Sequence, residues 1–166
     1  PNHPVASAHG ELPDSAALAA STKIDLGGLN VYRWDNPEGI FKQWSALSDK
    51  PMYLSEAGSD SYMTVANHGF SEGENQQAQA QSLNNILNDV FEHKAISTGV
   101  LVFSFTDELW KAGNPDVQDV GGWAPASSGV PYDGTANEEY WGLLEVNRDK
   151  KEAFYVLKEF YNNPDN

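Results

Sequence analysis

The sequence lacks cysteine, is poor in basic residues and contains no long apolar run. Without cysteine, a disulfide framework and thiolate chemistry are both excluded. The 10 Lys and Arg residues against 24 Asp and Glu leave a formal net charge of −14, which disfavours nucleic acid, anionic lipid and polyanionic substrates as partners. No segment approaches the ~18 consecutive apolar residues of a membrane-spanning helix, so we expect no membrane span.

The start of the sequence shows no signal peptide, and the lack of cysteine leaves the cellular compartment open. A mature secreted chain would lack a signal peptide in any case. We expect a secreted or periplasmic protein.

The composition that is present is typical of one globular domain rich in aromatic residues. The 166 residues are 40% apolar and 20% charged, which indicates a packed core spanning 1–166 rather than disorder. Aromatic residues reach 11% and include five Trp. Flat rings with a polar edge suit sugar rings, although the same residues could simply form an aromatic core.

Short apolar segments alternate with longer helical patterns, which predicts βα units around a parallel sheet. Candidate strands lie at 4–8, 29–32, 52–55 and 100–105, and candidate helices at 14–20, 37–47, 74–94 and 150–161. A stretch at 112–139 is rich in Gly, Pro, Asp and Ser and shows no periodicity. It carries Trp123 and Tyr132, which favours an ordered role at a binding site over disorder.

Glu56 directly follows the candidate strand at 52–55 and precedes Ala57 and Gly58. A carboxylate at this point lies at the C-terminal end of a parallel strand, where α/β sheets and barrels place their chemistry. The same residue could instead be a surface acid in a βα loop, hydrogen-bonded to a helix N-terminus.

Polar and aromatic residues also follow the other candidate strands. Asn and Tyr can hydrogen-bond a carboxylate or a sugar hydroxyl, and Trp can stack on a sugar ring. Equally, Tyr could pack in the core, His could lie in a solvated loop, and adjacent acids could begin a helix. Tyr32, at the end of the second strand, can hydrogen-bond a carboxylate or a sugar hydroxyl. The candidate substrate-binding residues are His9 after the first strand, Asn30 and Trp34 at the end of the second, Asp107, Glu108 and Trp110 after the fourth, and Trp123 in the long loop.

No metal or cofactor is expected from these patterns. None of the candidate pairs has the spacing of zinc ligands, and Asp116, Asp119 and Asp133 lack the regular spacing of a calcium loop. A glycine-rich phosphate fingerprint and a Ser-centred nucleophile elbow are both missing from the sequence.

Three segments, 29–34, 50–58 and 99–111, resemble strands six, seven and eight of the clan A glycoside hydrolases. The late segment 139–146 resembles the part of these barrels that precedes the last helix. Members of the clan are retaining (β/α)8-barrel enzymes, several of which act on β-glucans, and the sequence resembles glucan hydrolases and glucanosyltransferases without indicating one family. The resemblance implies that Glu56 is the nucleophile, that Tyr32 contacts and orients it, and that Trp110 floors the subsite where the bond breaks.

One departure from the clan concerns its proton donor, a Glu that ends strand four, usually as Asn-Glu. The only Asn-Glu here, Asn137-Glu138, lies in the late loop and is misplaced for that role. The chain therefore resembles half of a TIM barrel, with strands five to eight and their helices. We expect it to bind an oligo- or polysaccharide and to be inactive alone. We expect completion by a missing N-terminal half-barrel or by self-association. A non-catalytic carbohydrate-binding or structural module, or an unrelated α/β protein, are the alternatives.

Overall fold

The computed structural model describes residues 2–33, 37–121 and 133–163. No helix in these ranges is long and apolar enough to cross a membrane. The elements in chain order are β1 (His9–Gly10), α1 (Ser15–Ala20), β2 (Gly27–Asn30), α2 (Glu38–Leu47), β3 (Met52–Ala57), β4 (Tyr62–Met63), β5 (Gly73–Glu74), α3 (Gln76–Glu92), β6 (Ser97–Val102), a 3₁₀ helix (Glu138–Tyr140) and α4 (Glu152–Asn162).

The central sheet is parallel and has the order β1-β2-β3-β6, with a helix between each pair of neighbouring strands. This confirms a mixed α/β fold with a parallel sheet. The first strand is at 9–10, however, and not at 4–8 as the sequence predicts. Around Val5, one carbonyl accepts hydrogen bonds from two successive N–H groups, those of Asp25 and Leu26, and a regular ladder does not form there.

The apolar core lies between the sheet and the helices. Trp44 of α2 and Ile86 of α3 are almost fully buried against Leu54 of β3. Each large side chain buried in this way stabilises the fold by roughly 1.5–3 kcal/mol. Helix α3 starts where the side chain of Asn75 accepts the N–H of Ala78, a regular N-cap.

An extra residue interrupts strand β3 just before its end. Leu29 of β2 pairs with Leu54, but the next residue, Asn30, pairs with Glu56. Leu54 and Ala57 both belong to the helix-side core, although regular alternation would put them on opposite faces. A β-bulge therefore lies between them, and it turns Glu56 away from the face that Leu54 occupies.

Two further features lie at the C-terminal ends of the strands, and the first of them was not predicted. The segment after β3 forms the small antiparallel pair of β4 and β5, whose two-residue strands are too short to show a period in sequence. After the 3₁₀ helix the chain runs beside the end of β6, where Thr106 bridges Leu144 in parallel. Both segments therefore lie at the C-terminal edge of the sheet, close to the part of β3 that carries Glu56.

Candidate active site

A cavity of about 290 Å³ lies at the C-terminal edge of the sheet. Strand β3 contributes Glu56, the segment after β2 contributes Tyr32, and the other side chains come from segments that follow β6. The lining residues are Tyr32, Glu56, Phe103, Lys111, Ala136, Glu138 and Trp141.

Tyr32 donates its phenolic hydrogen to Oε2 of Glu56 at 2.5 Å. Burial, followed by the hydrogen bond to Glu56 and the nearby charges of Glu56 and Glu138, raises the pKa of Tyr32 far above its usual range. Tyr32 therefore stays a phenol at any pH at which the protein works, and it remains a donor to Glu56. The contact expected between these two residues is present.

Three aromatic rings form one wall of the cavity. Tyr32 packs edge-to-face against Trp141, with ring centroids 5.1 Å apart, and Phe103 lies 6.0 Å from Trp141. The indole Nε1 of Trp141 donates to the carbonyl of Ala136 at 2.5 Å. Each of the three rings contacts the other two, so the rings support one another in the wall.

Two glycines allow the backbone segments around the cavity to approach closely. A Cβ on Gly58 would lie 2.1 Å from the carbonyl oxygen of Phe103, and one on Gly142 would lie 2.0 Å from the backbone nitrogen of Asp107. Only glycine fits at these two positions. They bring the end of β3 and the segment of Trp141 against the end of β6.

Lys111 and Glu138 form the charged side of the cavity. The Nζ atom of Lys111 lies 3.6 Å from Glu138 Oε2 and 3.8 Å from Glu108 Oε2. The same Nζ lies 4.5 Å from the centre of the Trp110 ring and 5.1 Å from that of Phe103. Both charged groups are thus next to Glu56 in one cavity, lined in part by aromatic rings.

Asn137 anchors the backbone just before Glu138. It is fully buried and adopts the left-handed conformation, with φ of 41° and ψ of 49°. Its amide nitrogen lies 2.7 Å from Asp60 Oδ2 and 3.0 Å from the carbonyl of Tyr62, and its Oδ1 accepts the N–H of Gly121 at 2.9 Å. The Asn137 side chain therefore links the segment after β3 to the described part of the long loop at 112–139.

Glu139 anchors the backbone just after Glu138. It is also fully buried, and its two carboxylate oxygens accept the N–H groups of Ala112 at 2.8 Å and Asp119 at 2.6 Å. These bonds satisfy the buried charge and organise the described part of the long loop. The adjacent residues Glu138 and Glu139 therefore have different surroundings: Glu139 is buried inside the protein, and Glu138 lines the cavity.

Asp107, expected to contact substrate, is internal instead. It forms an ion pair with Lys151 at 2.6 Å and accepts the N–H of Gly142 at 2.8 Å, and both charged side chains are buried. Burial raises the pKa of Asp107 and lowers that of Lys151, and in each case the charge of the other partner opposes the shift. Asp107 ties the start of α4 to the end of β6 and does not line the cavity.

The remaining expected residues lie around the cavity or away from it. Asn30 accepts a hydrogen bond from Ser55 at 2.6 Å beside Glu56 but is not part of the lining. His9 lines a second cavity of about 310 Å³, which also contacts Trp44 of the helical layer. Glu108 and Trp110 reach the cavity only through Lys111, and the Trp110 ring is 60% exposed. Trp34 and Trp123 lie outside the described residues.

Five lining residues were not foreseen: Phe103, Lys111, Ala136, Glu138 and Trp141. The Asn137-Glu138 dipeptide stood out in the sequence, yet nothing near it in the chain indicates that it returns to the end of β3. Among residues 2–33, 37–121 and 133–163, no group of three or more His, Cys, Asp or Glu is arranged to hold a metal ion.

No protein-family model and no curated protein sequence matches the chain. Solved structures do. A β-galacturonidase of glycoside hydrolase family 2 from Eisenbergiella tayi aligns with a TM-score of 0.56 and 19% identity over 84% of this chain and 24% of its own. A family 17 β-1,3-glucanosyltransferase from Rhizomucor miehei aligns with a TM-score of 0.57 and 19% identity over 89% and 48%.

An exo-β-agarase aligns with a TM-score of 0.61 and 17% identity over 96% of this chain and 19% of its own. This chain thus spans between a fifth and a half of the length of these three proteins. At such low identity the likeness concerns the fold. The chain has a mixed α/β fold with a parallel sheet that is similar to a part of several glycoside hydrolases.

Proposed function

We propose that this chain is the nucleophile-bearing half-barrel of a retaining glycoside hydrolase that hydrolyses or transglycosylates a β-glucan. The observation that carries the proposal is the position of Glu56. A bulge in β3 turns its carboxylate into an aromatic-walled cavity, where Tyr32 donates a hydrogen bond to one of its oxygens. A carboxylate beside flat rings suits attack on a sugar that stacks against them.

In this mechanism Glu56 attacks the anomeric carbon, and the glycosidic bond breaks as a covalent glycosyl ester forms. The departing sugar oxygen takes a proton from a second carboxyl group and leaves as a hydroxyl, so that this group becomes a carboxylate. Water, or the hydroxyl of an acceptor sugar, then attacks the anomeric carbon and gives its proton back to that carboxylate, and the ester bond to Glu56 breaks. Tyr32 fixes the orientation of the carboxylate during both steps because its phenol stays protonated.

The proton donor of a retaining enzyme lies about 5–5.5 Å from the nucleophile. The resemblance to clan A places it on strand four, which belongs to the other half of the barrel. We propose that a further half-barrel, from the same protein or from a second copy, completes the site. The exposed apolar side chains Leu101 (61%) and Phe105 (66%), on and just after β6, support this since such an edge favours association.

A mechanism-based label tests the role of Glu56. A 2-deoxy-2-fluoroglycosyl fluoride needs no proton donor for its leaving group, so the chain can be tested without the proposed second half-barrel. We expect the mass of one glycosyl unit on the peptide that contains Glu56, and none in Glu56→Gln. The exposed Glu159→Gln is the matched control and should be labelled like the wild type.

Labelling of a different carboxylate would contradict the assignment of Glu56. Clear oligosaccharide binding without any label would favour a non-catalytic carbohydrate-binding module.

A further inference from the structure

Glu138 shares the cavity of Glu56 although the two residues lie far apart in the chain. We propose that Glu138, paired with Lys111, is a second sugar-binding carboxylate of this site and selects a neutral sugar over a uronic acid. The proposal rests on the cavity being a sugar site, as proposed above, and adds the two residues that recognise the neutral sugar and reject an acidic one.

The backbone around Glu138 is fixed from both sides. Asn137 is held by the segment after β3, and Glu139 by the N–H groups of Ala112 and Asp119. Of the three consecutive polar residues, Asn137 and Glu139 are fully buried, whereas Glu138 is turned to the cavity. A side chain held so firmly at its root can recognise a ligand with little loss of conformational entropy.

Lys111 gives Glu138 a neighbouring donor. Its Nζ lies 3.6 Å from Glu138 Oε2, and the rings of Trp110 and Phe103 flank it. A carboxylate accepts hydrogen bonds and an ammonium donates them. Neighbouring hydroxyls of a pyranose can do both, so a sugar beside Glu56 can bond to both charged groups at once.

The balance of charge in the cavity argues against an acidic sugar. Glu56 and Glu138 bring two negative charges, and Lys111, the only cation among the lining residues that the structure describes, also lies 3.8 Å from Glu108. The carboxylate of a uronic acid would meet two like charges and a cation that is already paired. Like charges in a partly buried cleft repel more strongly than in water. A neutral sugar avoids this repulsion.

The test compares affinity for laminaritriose and cellotriose with that for their C6-oxidised, uronic forms by isothermal titration calorimetry. We expect the wild type to bind the neutral form of at least one trisaccharide about tenfold or more tightly than its oxidised form. Glu138→Gln keeps the size of the side chain and removes the charge, so it should weaken neutral binding and narrow the ratio between the two forms. Glu159→Gln should change neither value.

Lys111→Met removes the proposed hydrogen-bond donor. It should lower the affinity for the neutral trisaccharide, and the oxidised trisaccharide should still bind weakly. Thermal unfolding of each variant checks that the fold is retained. A neutral-to-uronic ratio that is unchanged in Glu138→Gln, or a wild-type preference for the oxidised form, would overturn the inference even if Glu56 is labelled by the fluoroglycoside. Failure of both trisaccharides to bind, with Glu56 unlabelled, would overturn the proposed function together with the inference.

Discussion

Glu56 and Glu138 line the same cavity, but the protein positions them in different ways. Glu56 lies at the end of a buried strand, where its place follows from the sheet itself and one bulge sets its direction. Glu138 lies in a 3₁₀ helix after a long loop and depends on the buried side chains of its neighbours. A residue at the end of a strand can be located from the local sequence. A residue in a loop is held by polar contacts with distant segments, and the local sequence does not show these.

The two positions therefore depend on different parts of the molecule. The apolar core between sheet and helices supports the backbone at Glu56, so the loss of a single polar contact should move that backbone little, although the hydrogen bond from Tyr32 orients the carboxylate. A few buried hydrogen bonds support Glu138, so the loss of one side chain should loosen it. The variants below test this difference, beginning with the largest expected effect.

Glu56→Gln should lower turnover of the complete enzyme at least ~1,000-fold, because an amide cannot form the glycosyl ester. Binding of a neutral oligosaccharide should persist, since the core that holds residue 56 is unchanged. Steady-state kinetics and calorimetry on the same preparation measure the two effects. Turnover near that of the wild type would remove Glu56 from the mechanism.

Asn137→Gly should destabilise the protein by about 2–4 kcal/mol, because it removes a buried amide that bonds to Asp60, Tyr62 and Gly121. Glycine tolerates the left-handed conformation, so this change isolates the side-chain bonds from backbone strain. Urea unfolding gives the difference in free energy of unfolding. Glu56 should still be labelled in the folded fraction, while the preference for neutral sugar should fall.

Asn137→Ala is the companion variant. It should be less stable than Asn137→Gly because alanine disfavours a positive φ. Equal midpoints for the wild type and Asn137→Gly would show that the buried bonds of Asn137 do not hold the loop.

In the proposed complete enzyme, Tyr32→Phe should lower kcat about 10- to 100-fold with a smaller change in KM. The ring remains to pack against Trp141, and only the hydrogen bond to Glu56 is lost. Tyr53→Phe, which removes a phenol with a 3.3 Å bond to the carbonyl of Ser7, is the matched control and should leave kcat unchanged. An equal loss in both variants would indicate a general effect on the fold.

The sequence predicted the parallel sheet, the helices between its strands and the contact of Tyr32 with Glu56. The sheet and its helices follow from the alternation of short apolar segments with helical patterns, whereas the contact of Tyr32 with Glu56 is what the resemblance to clan A glycoside hydrolases implies. The sequence did not predict the bulge in β3, which depends on pairing with β2 and β6. The sequence analysis also predicted that Asp107 contacts substrate. It missed the buried ion pair with Lys151 because Lys151 lies far away in the chain. Contacts between distant segments, such as that of Asn137 with Asp60, are invisible until the chain has folded.

Asp60→Asn should give the smallest effect of these variants. The effect is a change in how the free energy of unfolding depends on pH. Asp60 is 1% exposed, and burial raises its pKa well above the ordinary value, with the charge of Asp133 adding to the shift and the hydrogen bond from Asn137 opposing it. Between the unfolded pKa of about 4 and the higher folded pKa, the native state binds a proton that the unfolded chain has lost. The contribution of Asp60 to stability is therefore present below pH ~4 and is lost as pH rises through the folded pKa.

An asparagine at position 60 cannot ionise, so its stability relative to the wild type should improve from pH 4 to pH 8 in urea unfolding. Asp116→Asn, an exposed control, should follow the wild type at every pH. Because Asp60 accepts the amide of Asn137 at 2.7 Å, its ionisation acts on the anchor of Glu138 and not on the strand that carries Glu56. The preference for neutral sugar should therefore vary with pH in the wild type more than in Asp60→Asn, while labelling of Glu56 should respond equally in both. Identical pH dependence of that preference in the two proteins would separate Asp60 from the position of Glu138.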